Sequence, residues 1–281
     1  MHLLRKLRFR LRALFRREQP DREMAGELRL LAYGSMTLAV VVGGGSLLLF
    51  AAFLVIGPFT VFRFGTTEPS VLAWDGFLSL LFFVQHSGMV RTTFRTRLAA
   101  RVPEHFHPAI YAIASGIALT AVVLLWQTSP TVLFAIEGPF RALPRAFTVV
   151  ALAGFVWGIR ALRHFDTFGL APIKARLRGR NLPAPRFAIG GPYLWVRHPL
   201  HACMLALIWS APDVTADRLL FNVLWTAWIV VGACFEERDL VAGFGERYRR
   251  YQDTVPMLVP WRGPVGRRLG RGDSPITASA E

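Results

Sequence analysis

The residue types best suited to chemistry lie in two short segments of the C-terminal third of the chain. The first segment, Gly191–Pro199, ends in Arg-His-Pro and is followed by His201, and the second holds the adjacent carboxylates Glu236 and Glu237. Proline suits the first turn of a helix, and a helix N-terminus beside a cation and an imidazole attracts anions such as a carboxylate. Two adjacent carboxylates at a membrane boundary in turn indicate a polar site.

Together the two segments predict a pocket for a zwitterion that carries a cationic centre. A carboxylate of the ligand would meet Arg197 or His198, and its ammonium group would meet Glu236 or Glu237. S-adenosylmethionine is such a ligand, and its adenine ring requires an apolar or aromatic wall. The tyrosines that follow, Tyr248 and Tyr251, lie at helical spacing on one side of a segment whose other side is basic, which predicts an interfacial helix.

Three histidines are candidate metal ligands. His198 and His201 are spaced i, i+3, and His164 precedes them on the same long connection. Because no carboxylate or cysteine stands at ligand spacing beside them in the sequence, we predict no metal site.

Apolar runs must position these residues, since 53% of the 281 residues are hydrophobic and the mean hydropathy is +0.38. Crossing a bilayer takes about 20 apolar residues. The runs predict an all-α integral membrane protein of about six transmembrane helices, near residues 30–57, 71–90, 109–127, 146–163, 197–212 and 218–235. The fifth run is too short on apolar residues for a full crossing. Asp213–Asp217 is predicted as a tight turn that makes a hairpin of the last two runs.

Charge predicts the orientation of these helices. The formal net charge is +15, and with the N-terminus inside, 29 of the 33 Lys and Arg residues fall on the cytoplasmic side, leaving Arg63, Arg141, Arg145 and Arg218 outside. The positive-inside rule therefore predicts cytoplasmic N- and C-termini. Nucleic-acid binding is excluded, because the basic residues alternate with apolar spans and form no recognition motif.

The chain is thus predicted to have three parts. Residues 1–29 form a basic amphipathic segment, which is expected to lie on the anionic lipids of the membrane surface. Residues 30–260 form the membrane domain. Residues 261–281 form a basic tail that is predicted to be disordered. A channel or transporter is disfavoured, because no inverted repeat or midplane charge pair is present in the sequence.

Several motifs in this order resemble those of the membrane methyltransferases related to isoprenylcysteine carboxyl methyltransferase, and most closely the branch of NnrU-type proteins and methanethiol S-methyltransferase. The resemblance covers about residues 75 to 260 and lies in the segments Gln85–Arg91, His164–Leu170, Gly191–Pro199, Glu236–Leu240, Phe244–Tyr251 and Val255–Pro256.

The resemblance implies an S-adenosylmethionine site without a Rossmann domain, at the cytoplasmic face of a bacterial inner membrane. The cofactor contacts carried over from the family are Tyr193, Arg197, His198, Pro199 and one or both of Glu236 and Glu237. The backbone around 187–190 is expected to line the same pocket. Gln85, His86 and His164 are expected on the acceptor side.

The chain departs from the family pattern at His201 and Cys203, where a tyrosine and a small residue are usual. It also lacks the arginine that precedes the glutamate pair in the isoprenylcysteine enzymes. We therefore predict methyl transfer to a small or lipophilic thiol, with the proton taken by His198, His201 or a glutamate such as Glu237. The alternative is a non-catalytic accessory protein of NnrU type in nitrogen-oxide metabolism.

Overall fold

The structure is a computed structural model that describes residues 22–63, 67–162, 166–182, 187 and 189–265, with side chains described from residue 26 onward. Most of the predicted N-terminal amphipathic segment, His164, and residues 266–281 of the predicted tail lie outside this description. The chain divides into two compact units. The first comprises residues 1–51, 80–124 and 166–183, and the second comprises 52–79, 125–165 and 184–281.

The described chain is mostly helical. In chain order the helices are α1 (Arg22–Leu38), α2 (Gly45–Ile56), α3 (Glu68–Val90), α4 (Thr92–Ala99), α5 (His107–Leu125), α6 (Ala142–Ala161), α7 (Leu170–Leu177), α8 (Pro199–Trp209), α9 (Ala216–Phe244) and α10 (Glu246–Thr254). A π-helical segment, Ala39–Gly44, joins α1 to α2 without a break. Two short strands, β1 (Val132–Ala135) and β2 (Asp213–Thr215), are also present, and the all-α prediction missed them.

Four helical segments of the described chain are long and apolar enough to cross a membrane, which identifies a membrane protein. They are Gly26–Ile56, Glu104–Leu125, Gly138–Ala161 and Ala216–Phe244, and they match the first, third, fourth and sixth predicted runs. The second run forms the 23-residue helix α3, which Asp75, Gln85 and His86 make less apolar. The fifth is the 11-residue helix α8, about 17 Å long against roughly 30 Å of hydrocarbon, as its few apolar residues predicted. The count of six and the orientation stay predictions.

In the first unit, close backbone packing brings α1 and its π-helical extension against α5. A Cβ on Gly43 would lie 3.1 Å from the Phe168 ring, and a Cβ on Gly116 would lie 2.9 Å from the carbonyl oxygen of Val42. The core between these elements contains Ala32, Met36, Ala39, Phe106, Ala109 and Ile173. Small residues at such positions allow membrane helices to approach closely.

The motif that precedes α7 has a structural role in the same unit. The Asp166 carboxylate accepts hydrogen bonds from the backbone N–H groups of Leu170, at 2.8 Å, and Ala171, at 2.6 Å, so it caps the helix. Phe168 packs into the core. Gly169 turns the chain with a φ of 69° and touches the backbone of Pro108 so closely that a Cβ would lie 2.4 Å from its carbonyl carbon.

We expect the substitution Gly169→Ala to destabilise the first unit by roughly 1–3 kcal/mol, because it adds both left-handed backbone strain and a backbone clash. Thermal unfolding in detergent measures this loss. Gly179→Ala is the matched control, since Gly179 has a φ of 62° but open space around its Cβ position. An equal loss in both variants would contradict the clash and leave strain as the cause.

In the second unit, the connection between α8 and α9 pairs with a distant segment. β2 runs antiparallel to β1, with Thr215 opposite Val132 and Asp213 opposite Ala135. The predicted tight turn at Asp213–Asp217 is therefore wrong, because β-branched residues here extend the backbone to pair with β1. The hairpin of α8 and α9 is confirmed, since Trp209 Nε1 donates to Thr226 Oγ1 at 2.9 Å.

The start of α9 is fixed by a buried carboxylate. Asp217 is 2% exposed and accepts hydrogen bonds from Trp126 Nε1, at 3.1 Å, and from the backbone N–H of Ser129, at 2.9 Å. Because a buried carboxylate needs such donors, this arrangement fixes the rotation of α9 about its axis. The rotation in turn decides which side chains near the C-terminal end of α9 face inward and which face outward.

Candidate functional site

Three pieces of the second unit meet around the Arg-His-Pro segment. A short turn, Gly191–Leu194, leads into Arg197 and His198, and α8 begins at Pro199 as predicted. The backbone N–H groups of Arg197 and His198 donate to the carbonyl oxygens of Pro256, at 2.9 Å, and Met257, at 3.1 Å. The Val-Pro segment that follows α10 is therefore bonded directly to the residues that precede α8.

Glu237, on α9, lies at the centre of this arrangement and is 8% exposed. Its carboxylate accepts hydrogen bonds from Arg197 Nε at 2.6 Å, Arg197 Nη2 at 3.0 Å and Tyr248 OH at 3.0 Å. His198 Nε2 lies 2.9 Å from it, and the Gln252 amide also donates to it. We call Arg197, Glu237, Tyr248 and Gln252 the closed cluster, because each bonds to another protein group.

The Arg197 guanidinium is almost saturated by protein acceptors. Besides Glu237, its Nη1 donates to the carbonyl oxygen of Gln252 at 3.0 Å and to that of Val255. An arginine bonded in this way has little capacity left for a ligand carboxylate. The geometry therefore favours a positioning role for Arg197 and Glu237, which hold α10 against the start of α8.

Glu236 faces a different environment from its neighbour. Its side chain is 51% exposed, and its Oε2 lies 3.5 Å from His198 Nδ1 and 4.0 Å from His201 Nδ1. The two imidazole rings are 5.3 Å apart between centroids. We call His198, His201 and Glu236 the open cluster, because a carboxylate and an imidazole of this group remain accessible to a ligand.

The open cluster contains the carboxylate whose absence from the sequence neighbourhood of the histidines argued against a metal. The ligand atoms of His198, His201 and Glu236 all lie within 4.8 Å of one another, so these three residues can hold a metal ion. The hairpin, which was predicted to bring the glutamate pair beside Arg197 and His198, also brings Glu236 close to His201.

Aromatic residues form one wall beside the closed cluster. The Phe187 ring lies 5.2 Å from Phe244, 5.8 Å from Tyr248 and 5.7 Å from Tyr251, measured between ring centroids. Tyr248 and Tyr251 are 2% and 4% exposed. The predicted amphipathic helix is α10, with both tyrosines on its buried face, and its place at the membrane interface stays a prediction. Gly245, with a φ of 58°, separates α9 from α10 and turns both tyrosines into the protein.

Tyr193 and Pro199 complete the predicted cofactor set. The Tyr193 carbonyl oxygen accepts a hydrogen bond from Tyr251 OH at 2.6 Å. Burial, and secondarily the charge of Glu236, raises the pKa of Tyr193 to about 12, so its hydroxyl is neutral near pH 7. Pro199 is buried as the first residue of α8. Because proline has no backbone N–H, Pro199 cannot donate a hydrogen bond to a ligand, and its role is to position the start of α8.

The predicted acceptor-side residues belong to the first unit, except His164, which lies outside the described residues. His86 Nε2 lies 2.6 Å from the hydroxyl of Tyr111, a residue that the sequence did not single out. Gln85 donates to the sulfur of Met89 at 3.0 Å, and its buried Oε1 has no hydrogen-bond partner in the described part of the chain. The role of Gln85 and His86 toward an acceptor stays a prediction.

Cys203, the second departure from the family pattern, packs against a glycine of α6. A Cβ on Gly154 would lie 2.8 Å from Cys203 Sγ. One turn later, a Cβ on Gly158 would lie 2.6 Å from Leu200 Cδ2. α6 therefore accommodates the larger residue at position 203, which faces that helix.

We expect the substitution Gly154→Ala to destabilise the protein by roughly 1–3 kcal/mol through overpacking, and Cys203→Ala to restore most of that loss in the double variant. Unfolding of the two single variants and the double variant gives the coupling energy. Gly232→Ala is the control, since its Cβ position is open. Additive effects of the two substitutions would contradict a direct contact between Gly154 and Cys203.

Comparison with known proteins gives a consistent set of relatives. The chain is 37% identical over 204 residues to methanethiol S-methyltransferase of a Pseudomonas species, covering 70% of this chain and 76% of that protein. It is 36% identical over 191 residues to methanethiol S-methyltransferase 1 of Bradyrhizobium diazoefficiens, covering 67% and 66%. It is 34% identical over 182 residues to methanethiol S-methyltransferase of Mycobacterium tuberculosis, covering 64% of this chain and 75% of that protein. No protein-family model matches the chain, and no solved structure matches it.

Proposed function

The chain belongs to the methanethiol S-methyltransferase family, and on this premise we propose that it transfers a methyl group from S-adenosylmethionine to a small or lipophilic thiol such as methanethiol. The reaction is proposed at the cytoplasmic face of a bacterial inner membrane that the chain crosses about six times. The distribution of basic residues supports this orientation. The names of the relatives support methyl transfer and give no support to the accessory role.

The open cluster is the single observation that carries the proposal, and its donor set fits the cofactor. The half-exposed carboxylate of Glu236 suits an ammonium group, unlike Glu237, which is enclosed by protein donors. The first turn of α8 leaves backbone N–H groups without helical acceptors and so suits a carboxylate. The aromatic wall around Phe187 suits a purine ring.

Bound S-adenosylmethionine supplies an activated methyl group on a sulfonium that leaves as a neutral thioether. The protein's task is then to orient the thiol and remove its proton, because the thiolate is the nucleophile. We assign the proton to His201. Glu236 beside Nδ1 favours the tautomer that carries its proton there, which leaves the Nε2 lone pair to accept the thiol proton. Glu236 then stabilises the imidazolium.

The remaining predicted residues receive supporting roles in this proposal. His198 links the two clusters, since its Nε2 contacts Glu237 and its Nδ1 faces Glu236. Glu237, which the sequence offered as a base, instead positions Arg197 and α10, because a carboxylate that accepts this many hydrogen bonds is a poor proton acceptor.

Calorimetry with S-adenosylmethionine and with S-adenosylhomocysteine tests cofactor binding by the purified protein. A panel of thiols, with gas chromatography of the thioether products, tests transfer. The proposal expects stoichiometric binding and formation of dimethyl sulfide from methanethiol. A folded protein that binds neither cofactor form would refute it, and binding without transfer to any thiol would leave a binding protein in its place.

A further inference from the structure

The first unit contains a cavity of about 480 Å³ between α1 and α7, and neither the sequence nor the proposed reaction assigns it a purpose. Its lining comes from one face of each helix. Arg29, Tyr33 and Met36 follow helical spacing on α1. Lys174 and Leu177 follow it on α7, and Arg178 directly follows that helix. The cavity is therefore built by helix packing and not by a loop.

Three cations line this cavity, and no carboxylate is among its described lining residues. Arg29, Lys174 and Arg178 form no salt bridge and no side-chain hydrogen bond with other residues that the structure describes. On α1 the nearest carboxylate that the structure describes is Glu27, which is exposed and is not part of the lining. Near α7 it is Asp166, which caps that helix through the backbone N–H groups of Leu170 and Ala171. Three like charges around one hollow repel one another, so an anion bound between them stabilises the arrangement.

The rest of the lining indicates an anion with an apolar part. Met36 forms a buried apolar floor, and Tyr33 is 59% exposed at the rim. The same face continues past α1 to Val40 of the π-helical segment, which is 41% exposed, and Leu30 beside Arg29 is 75% exposed. These residues belong to Gly26–Ile56, a segment able to span a membrane, so acyl chains are the natural contacts of this stripe.

We propose that the cavity is a binding site for an anionic phospholipid, with the phosphate held by Arg29, Lys174 and Arg178 and the acyl chains lying along α1. Basic pockets at the cytoplasmic ends of membrane helices recognise such headgroups. The site is separate from the general attraction of residues 1–29 to an anionic surface, because it holds one lipid in one place. It is also independent of the proposed methyl transfer.

Native mass spectrometry of the full chain in detergent tests this site by titration with phosphatidylglycerol. We expect one tightly retained lipid, and a much weaker first binding step for phosphatidylcholine. The triple variant Arg29→Gln, Lys174→Gln, Arg178→Gln should weaken that step by about fivefold for each cation removed. The charge-retaining variant Arg29→Lys, Arg178→Lys should bind nearly as well as the natural chain.

The matched control removes three other exposed arginines of the same unit, in the variant Arg95→Gln, Arg97→Gln, Arg101→Gln. An equal loss in this control would overturn the proposal, because binding would then follow net charge alone. A first binding step for soluble glycerol 1-phosphate as tight as that for the lipid would also overturn it, in favour of a soluble phosphate site. Equal binding of phosphatidylcholine would remove the requirement for an anion.

Discussion

Replacing Glu237 by alanine is expected to lower the stability of the protein by roughly 3–5 kcal/mol, since it removes one partner of a buried ion pair. The change leaves donors of Arg197, His198, Tyr248 and Gln252 without their acceptor. Burial by itself raises the pKa of Tyr248, so an ionised tyrosine is not expected to replace the lost charge. We expect α10 to detach from the start of α8.

Thermal unfolding in detergent measures the loss, and limited trypsin digestion locates it, because α10 contains Arg247, Arg249 and Arg250. Cleavage within α10 should become much faster in Glu237→Ala. Glu246→Ala is the matched control, since the side chain of Glu246 is 70% exposed and pairs only with Arg249 among the described residues. If Glu237→Ala has the same unfolding temperature and the same rate of trypsin cleavage as the natural chain, the closed cluster does not hold α10.

Replacing Glu236 by alanine is expected to reduce kcat/KM for S-adenosylmethionine by about 10–100-fold while stability changes little. A charge-assisted hydrogen bond to a ligand ammonium is worth about 1.5–3 kcal/mol, whereas the half-exposed side chain of Glu236 contributes little to packing. The two adjacent glutamates should therefore give opposite phenotypes, one losing the fold and the other the reaction.

The measurement is steady-state kinetics with methanethiol, together with cofactor affinity from calorimetry. Asp239→Ala is the control, because it removes an exposed carboxylate from the same helix. Glu236→Asp should recover part of the activity, since the charge is retained on a shorter side chain. Unchanged cofactor affinity in Glu236→Ala would mean that another group binds the ammonium. An equal loss of activity in Asp239→Ala would mean that the loss follows net charge and not a contact with Glu236.

The sequence predicted the elements of this site better than their roles. Pro199 marked the start of α8, and the short α8–α9 connection implied that Arg197 and the glutamate pair emerge together. Which glutamate faces inward could not be predicted. Adjacent residues on a helix differ by about 100° in direction. The direction of each glutamate depends on the rotation of α9, which Asp217 fixes, and on where α10 packs after the break at Gly245.

Two local segments have structural roles that their sequences alone did not predict. The segment around Asp166 and Gly169 was expected on the acceptor side through His164, but its described residues cap α7 and carry a close approach to Pro108. The pairing of β1 with β2 joins residues that are distant in sequence. A three-residue strand has no periodicity long enough to detect.

The backbone bonds from Arg197 and His198 to Pro256 and Met257 have a consequence for biosynthesis. The start of α8 receives its acceptors from residues translated after every proposed membrane helix, so the site cannot assemble while the ribosome is still inserting them. A nascent chain that stops before Gly245 would insert its apolar segments into the bilayer. Arg197 would then lack its carbonyl acceptors on Gln252, Val255 and Pro256. Membrane integration and site assembly are therefore separate events, and the last few residues of the membrane domain complete the second.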